Sequence, residues 1–287
     1  MKKYIENLFL VLFALLVFTA CSDEQGTDAG NDSQPKVSLY KYAAAPPADS
    51  DNDIVLRVAA NNKTDEAYYL VEKKADKDAR GMTEAEYNDF VVANGTRING
   101  IPSNSYADVD VSGLYGDCVI TVVAVGGGKK VASTLNFLGK EWNLVAEGTY
   151  NFSSTSQARM PGCPATKEVE LLVCTTDDTA YKIKDLYGTG YSLWFTKTTD
   201  TDKVDGEVVT FVRVGVTNTP YVYREDGGTV YLRDVATALN NVAYATNLSY
   251  GCYIFPDNSV YFNYRLADNL SNIAYAWDEW FIPKPVN

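Results

Sequence analysis

Apolar and polar residues alternate in short runs along most of this chain, and a period of two is typical of β-strands with one buried face. In the first half the runs are Val37–Lys41, Ile54–Val58, Ala67–Lys73, Cys118–Ala124 and Val131–Phe137. Stretches that contain Pro, Asp and Gly separate them and predict turns. The pattern therefore predicts a β domain over residues 36–140.

One helix is expected inside this first domain. Thr83 and Glu86 have the spacing of a capping box, in which the threonine hydroxyl and the glutamate carboxylate each accept from a backbone N–H that would otherwise lack a partner. An apolar face then repeats at i, i+3 and i+4, in Tyr87, Phe90 and Val91.

Nine further runs fill the second half of the chain. They are Val145–Phe152, Val169–Cys174, Ala180–Lys184, Tyr191–Thr196, Val208–Val214, Tyr221–Arg224, Thr229–Arg233, Tyr250–Phe255 and Val260–Leu266. Pro256-Asp257-Asn258, between the last two runs, has the residue types that are typical of a turn. Because helical patterning is nearly absent, residues 141–287 are predicted to form a second antiparallel β-sandwich or barrel.

The end of the first domain resembles a known family. The stretch from Asp108 to Phe137, with its glycine hairpin at Gly126–Gly128, is similar to the last strands of a fibronectin type III-like, immunoglobulin-fold domain. The resemblance implies a β-sandwich that acts as a spacer or a binding platform. The expected fold class is all-β, an immunoglobulin-like β-sandwich followed by the second antiparallel domain.

The first residues of the chain predict its location. Leu8–Phe18 is an uncharged apolar run, which as a helix would span roughly 16 Å, about half of a bilayer's hydrocarbon core. Preceded by Lys2 and Lys3, it fits the apolar region of a signal peptide over residues 1–20. Phe18-Thr19-Ala20-Cys21 resembles a bacterial lipobox, which implies lipid modification of Cys21 and a membrane anchor.

A polar stretch follows the proposed lipidation site. Residues 21–35 are predicted to form a flexible acidic tether because they are too polar to bury a core. Ser22-Asp23-Glu24 resembles the export signal of Bacteroidetes surface lipoproteins, which implies a place in the cell outer membrane facing the medium. A fibronectin-like domain followed by a Tyr- and Trp-rich β domain also resembles two-domain surface lipoproteins of that group, several of which capture glycans.

Charge and composition exclude several functions. The formal net charge is −12, and loss of residues 1–20 removes Lys2, Lys3 and Glu6 and leaves −13. Such acidity argues against nucleic acid as a partner. The chain has no histidine, so Ser-His-Asp catalysis, Cys-His catalysis and His-containing zinc sites are excluded. We expect no cofactor and no catalytic residue.

The cysteines and acidic clusters predict no metal site. Cys118, Cys163, Cys174 and Cys252 show no CxxC spacing. A disulfide between Cys163 and Cys174, or between Cys174 and Cys252, is one alternative, and buried free thiols are the other. The acidic loop Asp49–Asp53 lacks the glycine and the glutamate that an EF-hand requires, so a solvated loop is expected.

Aromatic residues concentrate in the second domain and predict a ligand platform. Sugars present apolar C–H faces that stack on flat rings, while short polar side chains bind the hydroxyls. With a period of two, Leu193 and Phe195 face the core and Trp194 points outward; packing under the C-terminal segment is the alternative for this ring. We predict that an extracellular carbohydrate or polymer binds to five residues: Trp194, with Tyr187, Tyr191, Trp277 and Trp280 in support.

Two other functions stay open. An adhesion or structural surface protein would present an apolar patch or an open edge strand to a protein partner. A carboxylate-dependent hydrolase would need two carboxyl groups about 5–10 Å apart in a cleft. Because strands joined by short loops offer little depth for such a cleft, the favoured prediction is a non-catalytic binder.

Overall fold

The structure, a computed structural model, describes residues 33–101, 105–223, 227–269 and 272–285. Most of these residues form strands of large antiparallel sheets, which confirms the all-β prediction. The predicted signal peptide, Cys21 and the tether as far as residue 32 lie outside the described residues. Within the described ranges, every helix falls short of the length and apolarity that a membrane crossing requires.

The N-terminal part contains two sheets. Its strands are β1 (Val37–Ala43), β2 (Ile54–Ala60), β3 (Glu66–Lys73), β4 (Thr96–Arg97), β5 (Tyr106–Val111), β6 (Gly116–Gly126) and β7 (Lys129–Gly139). One sheet has the order β1-β2-β5 and the other has the order β4-β3-β6-β7. All five strands predicted for the first half are present, and the short β4 and β5 are additions.

The core of this part lies between the two sheets. Ile54, Leu56 and Val58 alternate inward from β2 and belong to one buried cluster with Ile120 and Val122 of β6. Removing a side chain of this size from water contributes about 1.5–3 kcal/mol. The same alternation places the other residues of β2 on the outer face of the sheet.

Two helices follow β3. They are α1 (Lys74–Ala79), which was not predicted, and α2 (Glu84–Asn94). The capping box at the start of α2 is confirmed, since Thr83 and Glu86 each accept from the other's backbone N–H. Tyr87 and Val91 are buried and pack with Val123, which confirms the predicted apolar face.

The C-terminal part is built from ten strands and two short helices among its described residues. They are β8 (Trp142–Asn151), α3 (Ser154–Arg159), β9 (Thr166–Cys174), β10 (Asp177–Ile183), β11 (Leu193–Val204), β12 (Glu207–Val214), β13 (Thr217–Val222), β14 (Thr229–Asp234), α4 (Val235–Leu239), β15 (Cys252–Ile254), β16 (Val260–Ala267) and β17 (Asn272–Pro283). A 3₁₀ turn spans Val242–Tyr244.

Eight of these strands form a closed ring, which corresponds to the barrel alternative of the prediction. The order is β8-β9-β10-β11-β12-β15-β16-β17, and β17 pairs with both β16 and β8 to close it. The β13–β14 hairpin is attached to the end of β16. Large apolar and aromatic side chains fill the inside, among them Leu171, Phe195, Phe262 and Phe281.

The strand that closes the ring, β17, was not predicted because a bulge interrupts its alternation. Ala276, Glu279 and Phe281 all face inward, so the inward positions change from even to odd numbers. Asp278, at φ 61°, occupies the left-handed region inside the bulge. A bulge adds one residue to one strand and bends it, which hides the period of two from the sequence.

The four cysteines that the structure describes are free thiols. Cys118, Cys174 and Cys252 are buried, and Cys163 is partly buried. Burial raises the pKa of Cys163 to about 12. The structure therefore has the second of the two arrangements left open for the cysteines.

Candidate functional site

Trp194, on which recognition was predicted to rest, lies where the closed ring meets the N-terminal sheets. Leu193 and Phe195 are buried, as the period of two predicts, and Trp194 is on the opposite face. Its ring meets Trp142 edge-on, with centroids 5.3 Å apart. The ammonium group of Lys182 lies 4.8 Å from the Trp194 ring and 4.5 Å from the Trp142 ring.

Two carboxylates of the β1–β2 loop complete this junction. Lys182 Nζ lies 3.1 Å from Asp49 Oδ2 and 3.2 Å from Asp51 Oδ2, and only 3% of the lysine side chain is exposed. Burial raises the pKa of Asp51, although Lys182 and Lys140 favour its ionised form. A solvated acidic loop had been expected, but Asp49 and Asp51 form ion pairs with Lys182. The loop holds a buried lysine beside two tryptophan rings, and the partly buried Trp194 packs against Trp142 and this lysine.

Tyr187 and Tyr191 close a turn at one end of the ring. Tyr187 is 3% exposed, so its ring offers no face to a ligand. It packs against Phe152 with centroids 6.0 Å apart, and its N–H donates to the Tyr191 carbonyl at 3.0 Å. Tyr191 is partly buried against the same core.

A buried carboxylate lies near Tyr187. Glu279 is 1% exposed and accepts from the Tyr150 hydroxyl at 2.7 Å and from the N–H and hydroxyl of Ser153 at 3.2 and 3.0 Å. The Ser156 hydroxyl also donates to it. Burial raises the pKa of Glu279 above its usual value. Since three of the four donors lie at the start of α3, this carboxylate holds that helix against the inside of the ring.

Trp277 and Trp280 lie on the outer face of β17, one on either side of Asp278. Asn263 of the neighbouring strand β16 supports the bulge, and its side chain is fully buried. Asn263 accepts from the Asp278 N–H at 3.3 Å and donates to the Gly251 carbonyl at 3.2 Å. One amide side chain therefore ties the bulge to the segment that precedes β15.

This tie brings four aromatic rings into a row, the aromatic ladder, which consists of Tyr244, Tyr250, Trp277 and Tyr275. Successive ring centroids are 4.9, 5.9 and 4.9 Å apart. The rings of Trp277 and Tyr275 are nearly parallel, at 8°, and the Arg265 guanidinium lies 4.2 Å from the Tyr275 centroid. All four rings are partly exposed, Tyr250 most of all at 40%.

Trp280 belongs to a second aromatic group on the same face. Its ring lies 4.9 Å from Tyr261 and 5.9 Å from Phe255, centroid to centroid. The Tyr261 hydroxyl donates to Asp278 Oδ1 at 2.6 Å, which connects this group to the bulge beside Trp277. Of the five predicted residues, the structure brings Trp277 and Trp280 onto one surface, while the other three lie elsewhere.

A groove of about 400 Å³ runs along the 3₁₀ turn that carries Tyr244. It is lined by Thr198, Asp200, Arg213, Val242, Ala243, Ala245 and Thr246. The Arg213 guanidinium is held by Asp234 through hydrogen bonds of 2.8 and 3.2 Å. The groove and the aromatic ladder therefore share one short segment, and between them they supply ring surfaces and hydrogen-bonding groups, the two kinds of contact that ligand sites combine.

The ladder residues that the sequence analysis missed are Tyr244, Tyr250, Tyr275 and the adjoining Arg265. Tyr275 and Trp277 have i, i+2 spacing, which places them on one face of a strand, so recognition of β17 would have paired them. Tyr244 and Tyr250 carry no such signal because only the fold of the loop places them beside Trp277.

No arrangement of acidic and cysteine side chains suited to a metal ion occurs in the described part of the chain. Compared with protein-family models, curated proteins and solved structures, the chain matches none of them. The function is therefore inferred from the chemistry of the surface.

Proposed function

We propose that the protein is a lipid-anchored surface protein of a bacterial outer membrane that binds an extracellular carbohydrate polymer through the outer face of the closed ring. The observation that carries this proposal is the aromatic ladder, a row of partly exposed rings with Arg265 at one end. The place of binding differs from the sequence prediction, because Trp277 takes the central role that was given to Trp194.

The chemistry of the ladder supports a sugar ligand. Flat rings bind the C–H faces of pyranose units, and the groove beside the 3₁₀ turn adds the hydroxyl of Thr246 and the carboxylate of Asp200. Hydrogen bonds to such groups orient a ligand whose apolar contacts provide much of the binding free energy. Because the chain carries a net charge of −12, a neutral polymer is favoured over a polyanion.

Affinity electrophoresis of the full-length chain tests this proposal. Gels that each contain β-glucan, mannan, xylan or starch are compared with a polygalacturonate gel and a gel without polymer. We expect at least one neutral polymer to retard the protein, and Trp277→Ala and Tyr275→Ala to weaken the retardation. The matched control is Tyr115→Ala, which removes a 51% exposed ring far along the chain from the ladder.

Trp194→Ala separates the two candidate sites. If the ladder binds the polymer, this variant is retarded like the wild type while its melting temperature falls, because the ring packs at the junction. If Trp194→Ala abolishes retardation and Trp277→Ala leaves it unchanged, the ladder is not the site. Failure of every polymer to retard the wild type would contradict carbohydrate binding and favour the protein-binding alternative.

The anchor is tested separately at Cys21. We expect wild-type cells to incorporate labelled palmitate into the protein and Cys21→Ser cells not to do so. Protease added to intact cells should degrade the wild-type protein if it faces the medium. Protection from the protease in cells that carry the labelled protein would contradict surface exposure.

A further inference from the structure

The outer face of the β1-β2-β5 sheet carries an aromatic surface of its own. Strand register places its outward residues in three rows across the sheet: Ser38, Ala59 and Tyr106; Tyr40, Arg57 and Asp108; Tyr42, Val55 and Asp110. These nine residues are called the tyrosine face. None of the elements in the described part of the chain packs over its three tyrosines, which are 41%, 47% and 48% exposed at positions 40, 42 and 106.

The core does not require these rings. Ile54, Leu56 and Val58 occupy the inward positions of β2 and are at most 3% exposed, so the tyrosines add nothing to burial between the sheets. Tyrosine is common in strands, which accounts for one such residue more readily than for three on a single small face. Three exposed rings on nine positions indicate a surface that contacts something.

Arg57, at the centre of the face, is held in a defined position. It donates from Nε and Nη2 to the two carboxylate oxygens of Asp108, both at 2.8 Å. Its guanidinium carbon lies 4.4 Å from the Tyr106 ring centroid and 5.3 Å from that of Tyr42. The bonds to Asp108 use two of the five guanidinium N–H donors. A fixed planar group between two rings loses little conformational freedom when a ligand binds.

The composition of the face distinguishes among partners. Protein–protein interfaces are depleted of Asp and Glu, although Tyr and Arg are enriched there, whereas here Asp108 and Asp110 lie on the same face as the rings. Tyr42 and Tyr106 lie on strands separated by β2, in rows four positions apart along the strands. Because the Arg57 guanidinium carbon lies 5.3 and 4.4 Å from their ring centroids, the two centroids are less than about 10 Å apart. Rings at that spacing with hydrogen-bonding groups between them fit alternate sugar units of an extended chain.

We infer that the tyrosine face binds a neutral polysaccharide, with sugar rings stacked on Tyr42 and Tyr106 and hydroxyls bound by Arg57 and its carboxylate partner. This site is separate from the aromatic ladder and stands whether or not the ladder binds sugar. Where both surfaces bind one polymer, the second contact is intramolecular and raises the avidity. The N-terminal sheets then take part in binding and are more than a spacer.

The test is affinity electrophoresis in the same polymer gels with variants of the full-length chain. Trp277→Ala disables the ladder, and Tyr42→Ala/Tyr106→Ala removes the two rings beside Arg57. We expect the double tyrosine variant to weaken the apparent affinity for a neutral polymer at least tenfold and the Trp277→Ala chain to retain part of its retardation. Tyr115→Ala is the control for loss of an exposed tyrosine, and circular dichroism checks the fold of each variant.

Three outcomes would overturn the inference. Retardation of the double tyrosine variant equal to the wild type in every gel would show that the face binds none of the polymers. If Trp277→Ala abolishes retardation and the double tyrosine variant leaves it unchanged, the ladder is the binding site and the tyrosine face is not. A wild-type dimer in light scattering that the tyrosine variant converts to a monomer would identify a second copy of the chain as the occupant.

Discussion

At the scale of single residues, two ionisable groups are buried for different reasons. Lys182 is enclosed by Trp142, Trp194, Asp49 and Asp51 at the junction. Glu279 accepts four hydrogen bonds inside the ring. Two carboxylates of opposite charge offset the cost of burying the lysine, whereas only hydrogen-bond donors offset the cost of burying the glutamate. Burial is therefore the main cause of the raised pKa of Glu279.

The first prediction concerns the pH dependence that Glu279 contributes. The pKa of Glu279 in the folded protein is raised above the usual 4.5. As pH rises, the Glu279 carboxyl group therefore loses its proton at a lower pH in the unfolded chain than in the folded protein. The free energy of unfolding therefore falls as pH rises through the interval between the two pKa values. We expect Glu279→Gln to remove this fall, measured as the difference from wild type in urea unfolding between pH 4 and 8.

Glu168 is a control of opposite sign. Hydrogen bonds from Lys284 and Thr149 lower the pKa of this exposed carboxylate, so its contribution to stability is present above the usual pKa and is lost as pH falls. Glu168→Gln should lose stability relative to wild type as pH rises through the interval between the lowered pKa and the usual 4.5, so urea unfolding of this variant is also measured below pH 4. Equal pH profiles for the two variants would contradict the raised pKa of Glu279.

At the scale of single elements, the bulge in β17 decides what the closed ring presents to solvent. It moves Glu279 and Phe281 inward and leaves Trp277 and Trp280 outside on either side of Asp278. Asn263 supports the bulge and, through the Gly251 carbonyl, the loop that carries Tyr250. The ladder thus depends on one irregular strand and on one buried amide.

The second prediction tests this dependence with Asn263→Ala. Loss of the amide leaves the Gly251 carbonyl and the Asp278 N–H without their partner, which should lower the free energy of unfolding by about 2 kcal/mol. We also expect the near-ultraviolet circular dichroism of the ladder rings to weaken as Tyr250 separates from Trp277. Asn272→Ala, an exposed position at the start of β17, is the control and should change neither quantity. An unchanged spectrum in Asn263→Ala would show that the ladder is positioned by other contacts.

At the scale of the whole molecule, the loop between β1 and β2 joins the two parts of the chain. Besides the ion pairs of Lys182, Gly190 lies so close to Pro47 that a Cβ atom there would be 2.7 Å from the proline carbonyl carbon. The φ of Gly190 is 79°, a conformation that favours glycine. Charge, aromatic rings and a close backbone approach therefore meet at one junction.

The third prediction is that Lys182 couples the two parts. In Lys182→Met the buried Asp51 loses its main counter-charge, and breaking a buried pair in this way typically lowers the free energy of unfolding by about 3–5 kcal/mol. Lys184→Met is the matched control, since that lysine lies one position beyond β10 with half of its side chain exposed and should cost about 0.5 kcal/mol or less. Urea unfolding followed by tryptophan fluorescence measures both.

The shape of the unfolding curve gives a second readout. We expect the Lys182→Met curve to separate into two transitions, because the N-terminal sheets and the ring would then unfold independently. A single transition at the wild-type midpoint would mean that the junction contributes nothing to coupling.

The sequence by itself determined the kinds of element. Period-two alternation predicted five strands of the N-terminal sheets and nine of the C-terminal part, and the spacing of Thr83 and Glu86 predicted the start of α2. These are local patterns, since a strand's alternation and a helix cap each depend on residues within a few positions of one another. The absence of histidine likewise excluded whole classes of chemistry without any structure.

Tertiary structure alone decided which residues meet. Three features join residues that are distant in the chain. They are the closure of the ring through β17, the enclosure of Lys182 by Asp49, Asp51 and two tryptophans, and the assembly of the ladder. Such contacts depend on strand register and on a bulge that reverses which positions face inward, and a shift of one residue moves every following side chain to the other face. For that reason the sequence pointed to Trp194 as the central ring, whereas the fold packs Trp194 against Trp142 and Lys182 at the junction. It places Trp277 beside tyrosines 27 and 33 positions earlier in the chain.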